Sequence, residues 1–150
     1  MKRLLCVSLS IALLMMAVVR VHATEQKHEV VCQRYDFENG LTMIDEITIY
    51  EQTRATDKRA DRKKTLLDGD VTIAVIVFEA VFRYDGSNVS VLSKTVTRTD
   101  TYEGWSYKQN SFTSSGGTVT LNAKISKLLI FNNSFTMTLS CDKNGNISYT

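Results

Sequence analysis

The chain predicts an all-β fold, an antiparallel two-layer sandwich or partly open barrel of about seven strands. Three observations carry that expectation. Apolar and polar residues alternate over long stretches, as they do along half-buried strands. Turn residues punctuate these stretches at Asn39-Gly40, Asp68-Gly69, Asp85-Gly86, Gly116-Gly117 and Asn144-Gly145. The 150 residues include no proline, which suits unbroken strands, since proline removes a ladder donor.

Taken in order, His28 to Phe37 leads into Glu38-Asn39-Gly40, and Asn-Gly between apolar runs is a strong hairpin signal. The partner is Leu41 to Tyr50, with Met43, Ile47 and Ile49 on one face and Thr42, Glu46 and Thr48 on the other. Glu51 to Lys64 then changes texture, carrying six basic residues (Arg54, Lys58, Arg59, Arg62, Lys63, Lys64) against Glu51, Asp57 and Asp61. With so little to bury, it reads as a charged, exposed loop or short solvated helix. Val71 to Tyr84 is β-branched and aromatic on both faces, the signature of a central strand.

Val89 to Thr101 is Thr-rich, as an edge or solvent-facing strand would be. Thr118 to Phe131 resumes alternation, with a bulge expected near Lys127 because Leu128 to Phe131 is continuously apolar. Asn132-Asn133-Ser134 reads as a turn into Phe135 to Cys141, and Asp142 to Asn146 as a turn into Ile147 to Thr150. No internal repeat divides the chain, so residues 24–150 are expected to form one domain.

Residues 1–23 read as an export signal. Lys2 and Arg3 precede an apolar run from Leu4 to Val19, and Val21-His22-Ala23 ends on a small residue. The run is closed by Arg20, too short to span a bilayer and suited to cleavage after Ala23. Cleavage removes Lys2, Arg3 and Arg20 from the 18 basic residues, leaving 15 against 16 acidic ones. A net charge of −1 gives no warrant for a nucleic-acid partner.

Export also leaves Cys32 and Cys141 as a pair in an oxidising compartment, where a disulfide between them is expected, two buried thiols being the alternative. The order Cys32, Trp105, Cys141 does not match the immunoglobulin pattern, in which the tryptophan follows soon after the first cysteine.

For catalysis the inventory is thin. His28 is the one histidine after the signal, no Gly-x-Ser-x-Gly turn is present, and no set of zinc ligands can be assembled. Asp142 to Asn146 has its glycine at the wrong place for a calcium loop. No metal or cofactor is implied. Glu79, inside the most apolar strand, and Glu103, beside Trp105, are the carboxylates a small hydrolase could use; Glu79 must otherwise face solvent or pair with a cation.

Recognition has two candidate surfaces. Tyr102, Trp105 and Tyr107, with Phe112 nearby, could stack on a glycan or anchor a peptide, unless Trp105 caps the core instead. Arg54, Lys58, Arg59, Arg62, Lys63 and Lys64 could contact an anionic cell-envelope polymer or a membrane surface. The expected function is thus a secreted, non-enzymatic binding module; a hydrolase or a structural protein of the envelope are the alternatives. Asn88, Asn132 and Asn146 match the glycosylation acceptor pattern, which matters only in a eukaryotic source.

The stretch Tyr102 to Lys127, containing EGWSYKQNSFTSSGGTVTLNAKISK, and the ending SCDKNGNIS resemble small exported proteins of Gram-positive, often gut-dwelling bacteria. The resemblance implies bacterial secretion and an all-β domain, and supplies no site residues.

Overall fold

The computed structural model describes residues 26–37, 40–51, 56–128 and 131–150. The signal segment, the Glu38-Asn39 turn residues and Arg54 lie outside them. Among the described residues the chain forms nine strands: β1 (Gln26–Asp36), β2 (Leu41–Glu51), β3 (Asp57–Asp68), β4 (Val71–Tyr84), β5 (Val89–Thr101), β6 (Ser106–Ser115), β7 (Thr118–Lys127), β8 (Phe131–Cys141) and β9 (Ile147–Tyr149). Strands β1 to β5 make one antiparallel meander in sequence order, and β6 to β9 make a second. The two sheets meet face to face as an open sandwich rather than a closed barrel. Among the described residues no helix is long and apolar enough to cross a membrane.

Alternation decides what faces the interior. Leu41, Met43, Ile47 and Ile49 of β2, Ala60 and Leu66 of β3, and Ala74, Ile76, Phe78, Ala80 and Phe82 of β4 meet Val119, Leu121, Ala123 and Ile125 of β7 and Met137 and Leu139 of β8. Phe78, Phe82, Ile76, Leu121, Ile125 and Leu139 are fully enclosed. Phe112 of β6 closes edge to face on Phe78, with ring centroids 5.6 Å apart. β4 is an interior strand, as its composition predicts; on its odd-numbered face Ile73 and Val75 are buried and Val77, Glu79 and Val81 are half-buried.

The chain crosses between sheets once, through Tyr102 to Trp105. There the Trp105 amide donates to the Tyr102 carbonyl at 3.0 Å and Gly104 adopts φ 79°. That conformation suits glycine at the third position of a turn. The other end is stitched by the β8–β9 turn. Lys58 Nζ donates to the Gly145 carbonyl at 3.0 Å, the Gly86 amide donates to the Lys143 carbonyl at 2.9 Å, and the Tyr84 ring packs so close that a Cβ on Gly145 would lie 2.4 Å from it.

Three expectations are corrected. The charged segment is not a loop from residue 57 onward: it is β3, paired along its length with β2 and β4. Its even-numbered members, Ala60, Arg62, Lys64 and Leu66, turn inward, so the charges that suggested solvation alternate between two faces. The apolar run Leu128 to Phe131 does not continue a bulged strand, because Lys127, the end of β7, pairs with Phe131, the start of β8. Leu128 is 87% exposed at φ 40°, and Asn132 to Ser134 lies inside β8. The strands without a counterpart in the expected seven are β3 and β6 (Ser106–Ser115), which bring the count to nine.

The third correction concerns the disulfide. Among the described residues Cys32 and Cys141 are both free thiols. Parity separates them: Cys32 pairs with Glu46, and its neighbour Val31 is the residue packed against the core, so Cys32 sits on the outer face of β1. Cys141 is buried on the inner face of the opposite sheet. Burial and the charge of Asp142 push its thiol up to about 11, which suppresses the reactive thiolate. Iodoacetamide applied to the native protein without reductant is therefore expected to label Cys32 readily and Cys141 only after denaturation. Failure to label either in denaturant would restore the bond.

Candidate functional site

The most unusual feature of the interior is a charge cluster on the inner face of the first sheet. Asp45 of β2 stands in register with Lys64 of β3, and Ile47 with Arg62. The Asp45 carboxylate, 1% exposed, accepts from Arg62 Nε at 3.0 Å, from Arg62 Nη2 at 2.6 Å and from Lys64 Nζ at 2.6 Å. Burial alone would push the Asp45 carboxyl up, but the hydrogen bonds and charges of Arg62 and Lys64 outweigh it and hold the group below the usual aspartate range.

Arg62 is anchored further. Its Nη1 donates to the Thr138 carbonyl at 2.9 Å and to the main-chain oxygen of Thr150, and its guanidinium lies 6.0 Å from the centre of the Tyr149 ring. Lys64 is less committed. Among the described residues its one hydrogen-bond partner is Asp45, leaving two of three ammonium donors for something else. Among these three side chains two buried cations share a single carboxylate.

Lys64 also forms part of a groove of about 260 Å³ on the open side of the sandwich, between β1 and β8. Its walls are Tyr35 and Phe37 from β1 and the residue after it, Met43 from β2, and Asn133 and Phe135 from β8. The Lys64 ammonium lies 5.9 Å from the centre of the Tyr35 ring, which is 48% exposed at the rim. An apolar, aromatic cleft with one unsaturated cation is the composition of a ligand site.

Apart from Lys64, the residues singled out from sequence fall elsewhere. Tyr102, Trp105 and Tyr107 do not form one exposed platform. Tyr102 is 57% exposed, whereas Trp105 is 9% exposed, packs on Phe131 with centroids 5.2 Å apart, and lies under Lys127 Nζ at 5.5 Å. Trp105 directly precedes β6 and plugs that end of the core. Tyr107 is half buried; burial pushes its hydroxyl up, and among the described residues that hydroxyl has no hydrogen-bond partner.

The basic segment is likewise not an open cationic surface. Lys58 is taken by the Gly145 carbonyl, Arg59 pairs with Glu79 at 2.8 Å, Lys63 pairs with Glu46 at 2.6 Å, and Arg62 and Lys64 are inside. Glu79 meets one of its sequence-stated requirements through Arg59, while Glu103 is exposed in the turn after β5. Asp142 spends its carboxylate on its own turn, accepting from the amides of Asn144 at 2.8 Å and Asn146 at 2.9 Å.

Of the groove, sequence reasoning singled out Lys64 alone. The parity of β3 could have shown that Arg62 and Lys64 share the face of Leu66, and that of β2 that Asp45 shares the face of Ile47. Comparisons with protein-family models, with curated proteins and with solved structures find no match to this chain.

Proposed function

We propose that the protein is a secreted, non-enzymatic binding module whose ligand enters the groove between β1 and β8. The observation that carries this reading is the Lys64 ammonium, buried beside aromatic walls with donors to spare. A ligand that brings an apolar group and an anion would desolvate the walls and answer the Lys64 charge together. That favours a peptide, or another acidic amphipath, over a neutral glycan or an extended envelope polymer. Export rests on residues 1–23. The non-enzymatic reading rests on the poor catalytic inventory and on Glu79 being held by Arg59 in a structural ion pair.

The test uses anilinonaphthalene sulfonate, an aromatic body with an anionic head. It is expected to bind the native protein at one site with fluorescence enhancement. Lys64→Met should weaken that binding about tenfold or more, the worth of a charge-assisted hydrogen bond, and Phe135→Ala should weaken it through lost wall contact. Near-ultraviolet circular dichroism checks that each variant keeps its tertiary packing. Raising salt from about 0.1 to 1 M should change the affinity little, because a buried charge is poorly screened. Binding that ignores Lys64 and Phe135 but collapses in salt would move the site to exposed charges.

A further inference from the structure

Beside the groove, sheet two is left unfinished. Strand β9 pairs only with Leu139 to Cys141, and Thr150 extends the ladder by one residue through mutual bonds with Thr138. Among the described residues no strand lies against the remainder of that edge, from Phe131 to Thr136. The direction of its amides is fixed by two bonds: the Cys141 amide donates to the Gly117 carbonyl on the β7 side, and the Thr138 amide donates to the Thr150 oxygen on the β9 side. By the alternation of an antiparallel ladder, Asn132, Ser134 and Thr136 aim their amides and carbonyls outward along the open edge.

The side chains between them turn the other way. Asn133 and Phe135 face the groove, where Lys64 waits. A strand laid on this edge would place its hydrogen-bonding residues opposite Ser134 and Thr136, and its intervening side chains beside Asn133 and Phe135, over the cleft. The backbone row and the apolar, cationic cleft adjoin at Asn133 and Phe135.

We propose that the groove takes an extended peptide segment of a partner protein, added to β8 as a further strand. An apolar side chain of that segment packs between Phe135 and Tyr35, and an acidic side chain meets Lys64. Main-chain bonding would supply affinity and the cleft would supply specificity, as in other strand additions to a sheet edge. The inference rests on the groove being a ligand site.

The probe is a capped peptide of alternating sequence, Thr-Val-Thr-Glu-Thr-Val-Thr, with analogues carrying Leu or Phe in place of Val. Its inward positions offer two apolar residues and one acid. It is expected to displace anilinonaphthalene sulfonate and to slow amide exchange at Ser134 and Thr136 by about tenfold or more, in proportion to occupancy. A twin with Lys for Glu, and one N-methylated at the central threonines, should each bind at least about tenfold more weakly.

Ser134→Pro removes one outward amide and no bond to β7, a change that edge strands tolerate. It should keep the melting temperature and lose at least about tenfold in peptide affinity. If that variant does not fold, exchange at Ser134 and Thr136 in the unmodified chain decides. The strand inference fails, with the groove reading intact, if the dye binds through Lys64 but no peptide displaces it, or if N-methylation and edge exchange are indifferent. Displacement by decanoate alone would make the occupant a free apolar acid. Dye binding that does not depend on Lys64 would remove the groove reading too.

Discussion

Asp45→Asn is expected to destabilise the protein by about 3–5 kcal/mol, the cost of leaving buried charge without its partner. The substitution preserves shape but removes the charge that two cations share, and both Arg62 and Lys64 are nearly enclosed. Urea denaturation should show a lowered midpoint with an unchanged slope. Lys64→Met, by contrast, should fall within about 1 kcal/mol of the parent, since Asp45 keeps Arg62. Combined with Asp45→Asn, Lys64→Met should recover part of the loss, because two neighbours of one carboxylate couple. An Asp45→Asn variant as stable as the parent would show that the cluster is solvated.

The same cluster sets an acid limit. Asp45 has a folded-state pKa below its unfolded value, so its contribution is fully present above the ordinary aspartate range, near about 4. It is lost as pH falls through the depressed folded value. Asp85 and Asp142, held low by backbone and side-chain hydrogen bonds in their turns, act in the same direction. The part of the acid limb due to Asp45 is the part that Asp45→Asn abolishes.

Trp105→Ala should cost about 3–5 kcal/mol, as for other large aromatics removed from a core. The indole closes the end of the sandwich against Phe131 under the Lys127 side chain. The expected phenotype is a lower thermal midpoint with groove binding retained at temperatures where the variant is folded. A variant with parental stability that loses ligand binding would place recognition at the Tyr102 turn instead.

How much of this could be read beforehand follows from what alternation can and cannot report. The β2 pattern of Met43, Ile47 and Ile49 assigns its buried face correctly, and the composition of Val71 to Tyr84 places it inside a sheet. The β3 segment misleads because its charge content hides its alternation. Burial of Arg62 and Lys64 depends on Asp45, contributed from the neighbouring strand, and composition over a single window does not contain that pairing. Cys32 and Cys141 mislead for a related reason. Their even number and the expected compartment favour a bond, but the face on which each lies is decided by strand register. The groove itself joins Phe37, Lys64 and Phe135, which no local motif links.

The central claim, that ligands enter between β1 and β8 at Lys64, is tested most directly by amide and side-chain chemical-shift mapping during titration with anilinonaphthalene sulfonate. The account predicts the largest shifts at Tyr35, Phe37, Met43, Asn133 and Phe135, together with the Lys64 side chain, and little change at Tyr102 and Glu103. Shifts centred on the Tyr102 turn, or spread along the outer face of β3 at Arg59 and Lys63, would contradict it.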